Sequence, residues 1–276
     1  MNDADWLRRN KPLRLDANET VFDAQRRSFH LERYHLARTY VEGRDVLDLA
    51  CGTGYGSAIL SEAARSVTGV DFSSEAVAYA RKKYASGKVR FEVGFAELTT
   101  LVPASFDAVV SFETLEHLIS PEKGIAEYRR LMRPDAMLIA SVPNNWGYTS
   151  HHFVDFNYGL LREMIGAAFG EASYFYQNSG RKRRYLPGGI GPLTAELQDR
   201  CECLLVVASR PMPLEAHETD GVASLLEEIY KKAFERHRDF LRYEQFFRKL
   251  RARRIRSFLK PFLPGKGRRT AQGHSS

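Results

Sequence analysis

A short apolar run that stops at a cluster of glycines limits the fold more than any other feature of this chain. Asp45 to Ala50 reads Asp-Val-Leu-Asp-Leu-Ala, and Cys51-Gly52-Thr53-Gly54-Tyr55-Gly56 follows. So short and apolar a run suits a buried parallel strand. Glycines let the backbone turn sharply into a helix and approach a ligand closely. The unit then repeats. A helix is expected from about Tyr55 to Ala64, a strand at Ser66 to Asp71, and a helix capped by Ser73 or Ser74 and running to about Tyr84. Strands are expected at Val89 to Gly94 and Phe106 to Phe112. Pro121 opens a helix that Arg133-Pro134-Asp135 ends near Met132. Ala136 to Val142, Ala172 to Gln177 and Cys201 to Ser209 supply further strands, with a helix from about Asn157 to Phe169. This alternation predicts an α/β fold: a doubly wound, mostly parallel, seven-stranded sheet with ligands at the carboxyl ends of its strands.

Two carboxylates narrow the ligand. Asp48 sits inside the first strand, four residues before Gly52, where it can accept from the turn or from a cationic group. It would be a poor neighbour for a pyrophosphate. Asp71 ends the second strand, nineteen residues after Gly52, where a carboxylate can take both ribose hydroxyls of an adenosine. The glycine spacing is Gly-x-Gly-x-Gly rather than the dinucleotide pattern Gly-x-Gly-x-x-Gly.

With these residues in view, Val46 to Ser57 resembles the first motif of class I S-adenosylmethionine-dependent methyltransferases, and Val67 to Ser73 resembles the second. Gly94-Phe95-Ala96-Glu97, Phe106 to Leu118, Tyr128 to Pro134 and Ser141-Val142-Pro143-Asn144 follow in the family's order, so the likeness covers Phe29 to Ser209. It implies S-adenosyl-L-methionine as cofactor. On that reading Ala50, Gly52 and Gly54 hold the methionine part and Asp48 orients it. Asp71 binds the ribose, Phe72 lies against adenine, Ala96 and Glu97 border its edge, and the backbone of Ser111 and Phe112 lies near the amino-acid end. Phe95 stands where the family often has aspartate. Adenine is then held by Glu97, by backbone or by stacking, while an ordinary core aromatic is an equal reading of Phe95.

Both flanks are similar to a bacterial subgroup of small-molecule and glycan methyltransferases related to the quinone O-methyltransferases. The upstream part is Phe29-His30-Leu31-Glu32-Arg33-Tyr34, and the downstream part is His152, Asp155, Phe156 and Tyr176-Gln177. The subgroup implies a helix closing over the cofactor, with Arg33 or Tyr34 meeting its carboxylate. It also implies O-methylation of a saccharide or glycan intermediate on a small-molecule or lipid-linked acceptor. The alternatives are a quinone or other aromatic acceptor, a nucleic-acid methyltransferase and a non-catalytic binding protein. Removing a hydroxyl proton suits a neutral histidine. His152 or His117 is the candidate base, with Glu113 or Asp155 as partner, although His117 beside Glu116 could simply fix a loop. No metal is expected, the alternative being a set of His151, His152 and Asp155.

Charge separates the chain into parts. Lys231 to Arg269 holds fifteen basic and three acidic residues, a net +12 on a chain of +7, so the remainder is mildly acidic. The expected organisation is a 1–28 N-terminal segment, a 29–213 methyltransferase domain, a basic amphipathic helical extension over 214–263 and a disordered tail over 264–276. The extension carries Phe246-Phe247, Phe258-Leu259 and Phe262-Leu263 among its basic residues, which favours an anionic membrane surface over nucleic acid, with packing on the body or on a second copy as a third option. Four basic residues at 181–184 suit an anionic acceptor. Three cysteines without Cys-x-x-Cys spacing and an acidic start without an apolar run point to the cytoplasm, at most peripheral at the inner membrane face.

Overall fold

The computed structural model describes residues 5–7, 15–118, 120–147, 149, 152–180, 186 and 188–212. All of them lie in the first of the two units into which the chain divides, Met1–Glu215. The expected basic extension, the 181–184 cluster and His151 lie outside the described residues.

Eight strands form one sheet: β1 (Asp45–Leu49), β2 (Ser66–Asp71), β3 (Val89–Val93), β4 (Phe106–Phe112), β5 (Met132–Pro143), β6 (Phe169–Asn178), β7 (Gly189–Pro192) and β8 (Cys203–Pro211). Their order is β3-β2-β1-β4-β5-β8-β6-β7. The first five run parallel, and β8, β6 and β7 add antiparallel pairings. The expected count of seven is therefore corrected to eight. The extra strand is the four-residue β7 on the outer edge, whose Gly189-Ile190-Gly191-Pro192 carries the residues of a loop. It pairs only with β6, and an edge partner needs no apolar alternation of its own. Strand β5 also starts earlier than expected: Arg133-Pro134-Asp135 ends the helix but stays within the strand, next to a register shift opposite Phe106 and Ala108.

Helices α1 (Ala24–Arg38), α2 (Tyr55–Leu60), α3 (Ser74–Tyr84), α4 (Pro121–Leu131) and α5 (Tyr158–Gly166) connect the strands. Their starts are chemically marked. Asp23, Ser73 and Asn157 each accept the backbone N–H three residues on, and Pro121 occupies the first turn of α4. Successive strand residues point to opposite faces, and both faces are covered. Leu47, Leu49, Val109 and Leu138 pack with Tyr128 and Leu161 on one side. Val46, Val110 and Ile139 pack with Tyr34 and Leu60 on the other. That alternation places Asp48 on the Tyr34 side and Ser111 on the Tyr128 side, where Tyr128 hydroxyl lies 2.9 Å from Ser111 Oγ.

Ahead of α1, residues 15–22 lie across α3 and the glycine turn. Asp16 is fully buried and accepts from the Tyr79 hydroxyl at 2.8 Å, from the Tyr84 hydroxyl at 2.7 Å and from Lys83 Nζ at 2.8 Å. Thr53 Oγ1, inside the turn, donates to the Leu15 carbonyl at 2.6 Å. Nothing local in Leu15-Asp16-Ala17 signals this latch, because its partners lie 38 to 68 residues away.

Candidate functional site

The glycine turn is held from beneath by Asp71. Its Oδ2 accepts from Gly52 N at 3.0 Å and its Oδ1 from Ser73 N at 2.9 Å, so one carboxylate fixes both the turn and the start of α3. A carboxylate oxygen has two lone pairs, so one that accepts a backbone N–H can also accept a hydroxyl. Gly52 and Gly54 have φ of +57° and +84°. A Cβ on Gly54 would lie 2.7 Å from Ala80 Cβ and 2.8 Å from the Phe91 ring, so only glycine fits; one on Gly52 would meet nothing within 4 Å, which leaves that side open to a ligand. Ala50 takes the left-handed conformation at φ +59° without the licence glycine has.

Asp48 is fully buried. Its two oxygens accept from Ser57 Oγ at 2.6 Å and from the Tyr34 hydroxyl at 3.3 Å. Burial, against those two neutral donors, pushes its carboxyl up to about 7. The Tyr34 ring lies flat against Gly56, where a Cβ would sit 2.0 Å from it. Tyr34 and Arg33 therefore use their polar atoms inside the protein. Arg33, 1% exposed, donates Nε to Gln177 Oε1 at 2.6 Å and places Nη1 3.1 Å from Glu113 Oε1. Gln177, 144 residues away, is a partner that periodicity could not reveal.

Phe72, which follows Asp71, is 42% exposed. The Phe95 ring lies 6.4 Å from it at an interplanar angle of 18°, so the residue standing where aspartate is usual is a half-buried aromatic and not a core one. Ala96 packs against the core, and Glu97 accepts from Ser120 N at 3.2 Å, at the start of α4.

Across β4 and β5 the chemistry changes. Glu113 and Asn145 are left-handed at φ +50° immediately beyond these strands, and Phe112 packs edge-on against Tyr34. Glu113 accepts from Ser141 Oγ at 3.1 Å and pairs with Arg33, so it does not meet either histidine as a base partner. Asp155 accepts from Gly147 N at 2.9 Å and so holds the loop after β5. His117 and His152 come together with ring centroids 4.9 Å apart. The Glu116 carbonyl brings them there by accepting from Phe153 N at 2.8 Å and Val154 N at 3.3 Å, which straps the loop onto the short 3-10 turn Leu115–His117. The Glu116 side chain is fully buried, and neither carboxylate oxygen has a hydrogen-bond partner among the described residues. Burial, then the charge of Glu113, pushes it well above the usual carboxylate range. Trp146 and Phe153, both 47% exposed, flank this rim.

The comparisons agree with that geometry. Residues 47–140 match the family described as methyltransferase domain. A Mycolicibacterium smegmatis protein named probable S-adenosylmethionine-dependent methyltransferase is 35% identical over 129 residues, 47% of this chain and 49% of that one. The ubiquinone biosynthesis O-methyltransferase of Thiobacillus denitrificans is 34% identical over 115 residues, 41% of this chain and 50% of that one. This chain thus spans about half the length of the relatives it matches. Among solved structures, an S-adenosylmethionine-dependent methyltransferase of Thermotoga maritima superposes with a TM-score of 0.52 at 16% identity, covering 65% of this chain and 88% of that one. The fold is that of the class I methyltransferases, and residues 47–140 match a methyltransferase domain.

Proposed function

We propose that the chain transfers the methyl group of S-adenosylmethionine to a hydroxyl oxygen of a small-molecule acceptor. The observation that carries this reading is the placement of two unlike sites beyond the carboxyl ends of the parallel strands: a hydrogen-bonded glycine turn over Asp71, and the His117–His152 pair beyond β4 and β5. Bound at the turn, the cofactor supplies an electrophilic methyl group on a sulfonium. Asp71 takes the ribose hydroxyls, Phe72 and Phe95 stack on adenine, Ala96 and Glu97 border it, and the Ala50–Gly54 backbone with Asp48 behind it positions the methionine part. Ser111 and Phe112 shape the floor beneath that part, and Arg33 and Tyr34 fix α1 against it. Most of the rate comes from holding the acceptor oxygen in line with the methyl group. His152 or His117 takes the acceptor's proton, and Glu113 sets their surroundings by holding Arg33.

The acceptor is a saccharide or glycan intermediate if the subgroup resemblance carries over. A phenolic or quinol hydroxyl is the second reading, favoured by the ubiquinone relative and by the exposed rings of Trp146 and Phe153, against which an aromatic acceptor could pack. The chain then works in the cytoplasm, peripherally at an anionic membrane if the basic extension binds one; no described helix is long and apolar enough to cross a membrane. Calorimetric titration with S-adenosylmethionine and S-adenosylhomocysteine tests the cofactor, and methyl-labelled cofactor offered with quinol and saccharide pools tests the acceptor. Micromolar binding with label in either pool supports the reading. Absence of binding, or label appearing only in RNA or DNA, overturns it. Alanine at His117 or His152 should lower turnover more than cofactor affinity; unchanged turnover in both removes them as bases.

A further inference from the structure

The strongest unexplained feature of the acceptor rim is Glu116. A fully buried carboxylate whose oxygens have no hydrogen-bond partner costs several kcal/mol unless something compensates it. His117 Nε2 lies 3.7 Å from Glu116 Oε1, too far for a hydrogen bond yet well placed to share a third atom. His152 stands across the gap, and one ligating atom from each of the three residues lies within 4.8 Å of the other two. No other group of three His, Cys, Asp or Glu among the described residues comes together in this way.

We propose that Glu116, His117 and His152 bind one divalent metal ion of the zinc and manganese class. Two imidazoles and one carboxylate form a donor set that suits such ions better than magnesium or calcium and leaves positions open for an outside oxygen. Bonds of about 2.1 Å place neighbouring ligand atoms roughly 3 to 3.5 Å apart, so the site closes by about 1 Å. Rotation of the His117 ring, which is 42% exposed, supplies that movement. The carboxylate is anchored on the 3-10 turn and His152 on the loop strapped to it, so both ends of the site are fixed by the same backbone bonds. Cysteine spacing and the nearness of His151, His152 and Asp155 in sequence do not reveal this set, because Glu116 and His152 stand thirty-six residues apart. The structure instead assigns Asp155 to Gly147 and turns a carboxylate toward the two rings.

The use of the ion rests on the methyl-transfer reading. The three ligands sit beside Phe153, whose N–H is held by the Glu116 carbonyl, so an ion there would take the acceptor hydroxyl as a ligand, lower its pKa and let its proton leave to solvent. The acceptor oxygen then forms its bond to the methyl carbon as the sulfur–methyl bond breaks, releasing S-adenosylhomocysteine. The histidines in that case hold the oxygen through the metal and do not accept its proton.

Calorimetry on the metal-stripped full chain with Zn2+, Mn2+ and Mg2+ tests the site, with Mn2+ followed by electron paramagnetic resonance. One ion per chain is expected, tighter for Zn2+ than for Mn2+ and weakest for Mg2+. Glu116→Gln and His152→Ala should each weaken binding by at least about tenfold. His117→Ala, at an exposed position, provides the same test without risk to the core, and His35→Ala on α1 should change nothing. Absence of binding at millimolar ion, or affinity unmoved in all three site variants, overturns the proposal. The same samples titrated with S-adenosylmethionine separate the two claims. Metal binding without cofactor binding would end the methyltransferase reading and leave the ion site. The reverse would leave the enzyme reading and end the ion site.

Discussion

The two halves of the surface at the strands' carboxyl ends differ in how far their polar groups are satisfied before any ligand arrives. Around β1 and β2, Asp71 already holds Gly52 and Ser73, and Asp48 already holds Ser57 and Tyr34. Beyond β4 and β5, Glu116 is buried with bare oxygens, and Glu113 and Asn145 are held in a left-handed conformation that costs ordinary residues about 1 kcal/mol or more. On the proposed reading, one half is a preformed receptor for a cofactor of constant shape, and the other holds a buried carboxylate that an acceptor or an ion would complete. The difference teaches that binding and reaction should be separable here, because Asp71 is tied to the start of α3 while the loop carrying His152 is tied to the Glu116 carbonyl.

Gly54→Ala should produce the largest effect. It forces a Cβ against Ala80 and Phe91 at φ +84°, so a loss of about 3 kcal/mol of stability with loss of cofactor binding is expected, read by thermal melts and titration. A melt indistinguishable from wild type would break the idea of a preformed cradle. Asp71→Ala should weaken S-adenosylmethionine by about 10 to 100-fold, whereas His152→Ala should leave that affinity within about twofold. Equal losses in both would show that the halves are coupled.

A pH effect comes next in size. Because folded Asp48 keeps its proton up to about 7 and an unfolded aspartate loses it near about 4, stability without ligand should fall as pH rises between those values and level off above them. Asp48→Asn should flatten that slope and raise stability at pH 8 by about 1 kcal/mol, since either hydroxyl can turn to accept from the new amide. Chemical denaturation at pH 5 and pH 8 measures it; an unchanged slope assigns the pH dependence elsewhere. Smallest of all, Ala50→Gly should stabilise by about 0.5 kcal/mol by relieving its left-handed backbone, and Asn145→Gly by less, since asparagine tolerates that conformation.

How far each feature could be read depends on how local its cause is. The strand–turn–helix unit at Asp45 to Leu60 was legible because glycine spacing and apolar runs are local. So were Asp71, at the end of its strand, the cap at Ser73 or Ser74, and a helix start near Asn157. The edge strand β7 was not, because its pairing with β6 is set by register and not by its own residues. Neither was the Asp16 latch, nor Arg33 reaching Gln177, since each joins residues brought together only by packing. Glu116 and His117 were visible as neighbours, yet nothing in Glu-His shows that the carboxylate turns inward.

The sequence by itself determined the alternation of strands and helices, the glycine turn and the two aspartates of the cofactor half, because steric and hydrogen-bond rules for those act within a few residues. Only the tertiary structure decided the acceptor half. There Glu116, His117 and His152 meet because one backbone carbonyl accepts two N–H groups from a loop some thirty-seven residues on, a contact whose free energy exists only once β4 and β5 lie side by side.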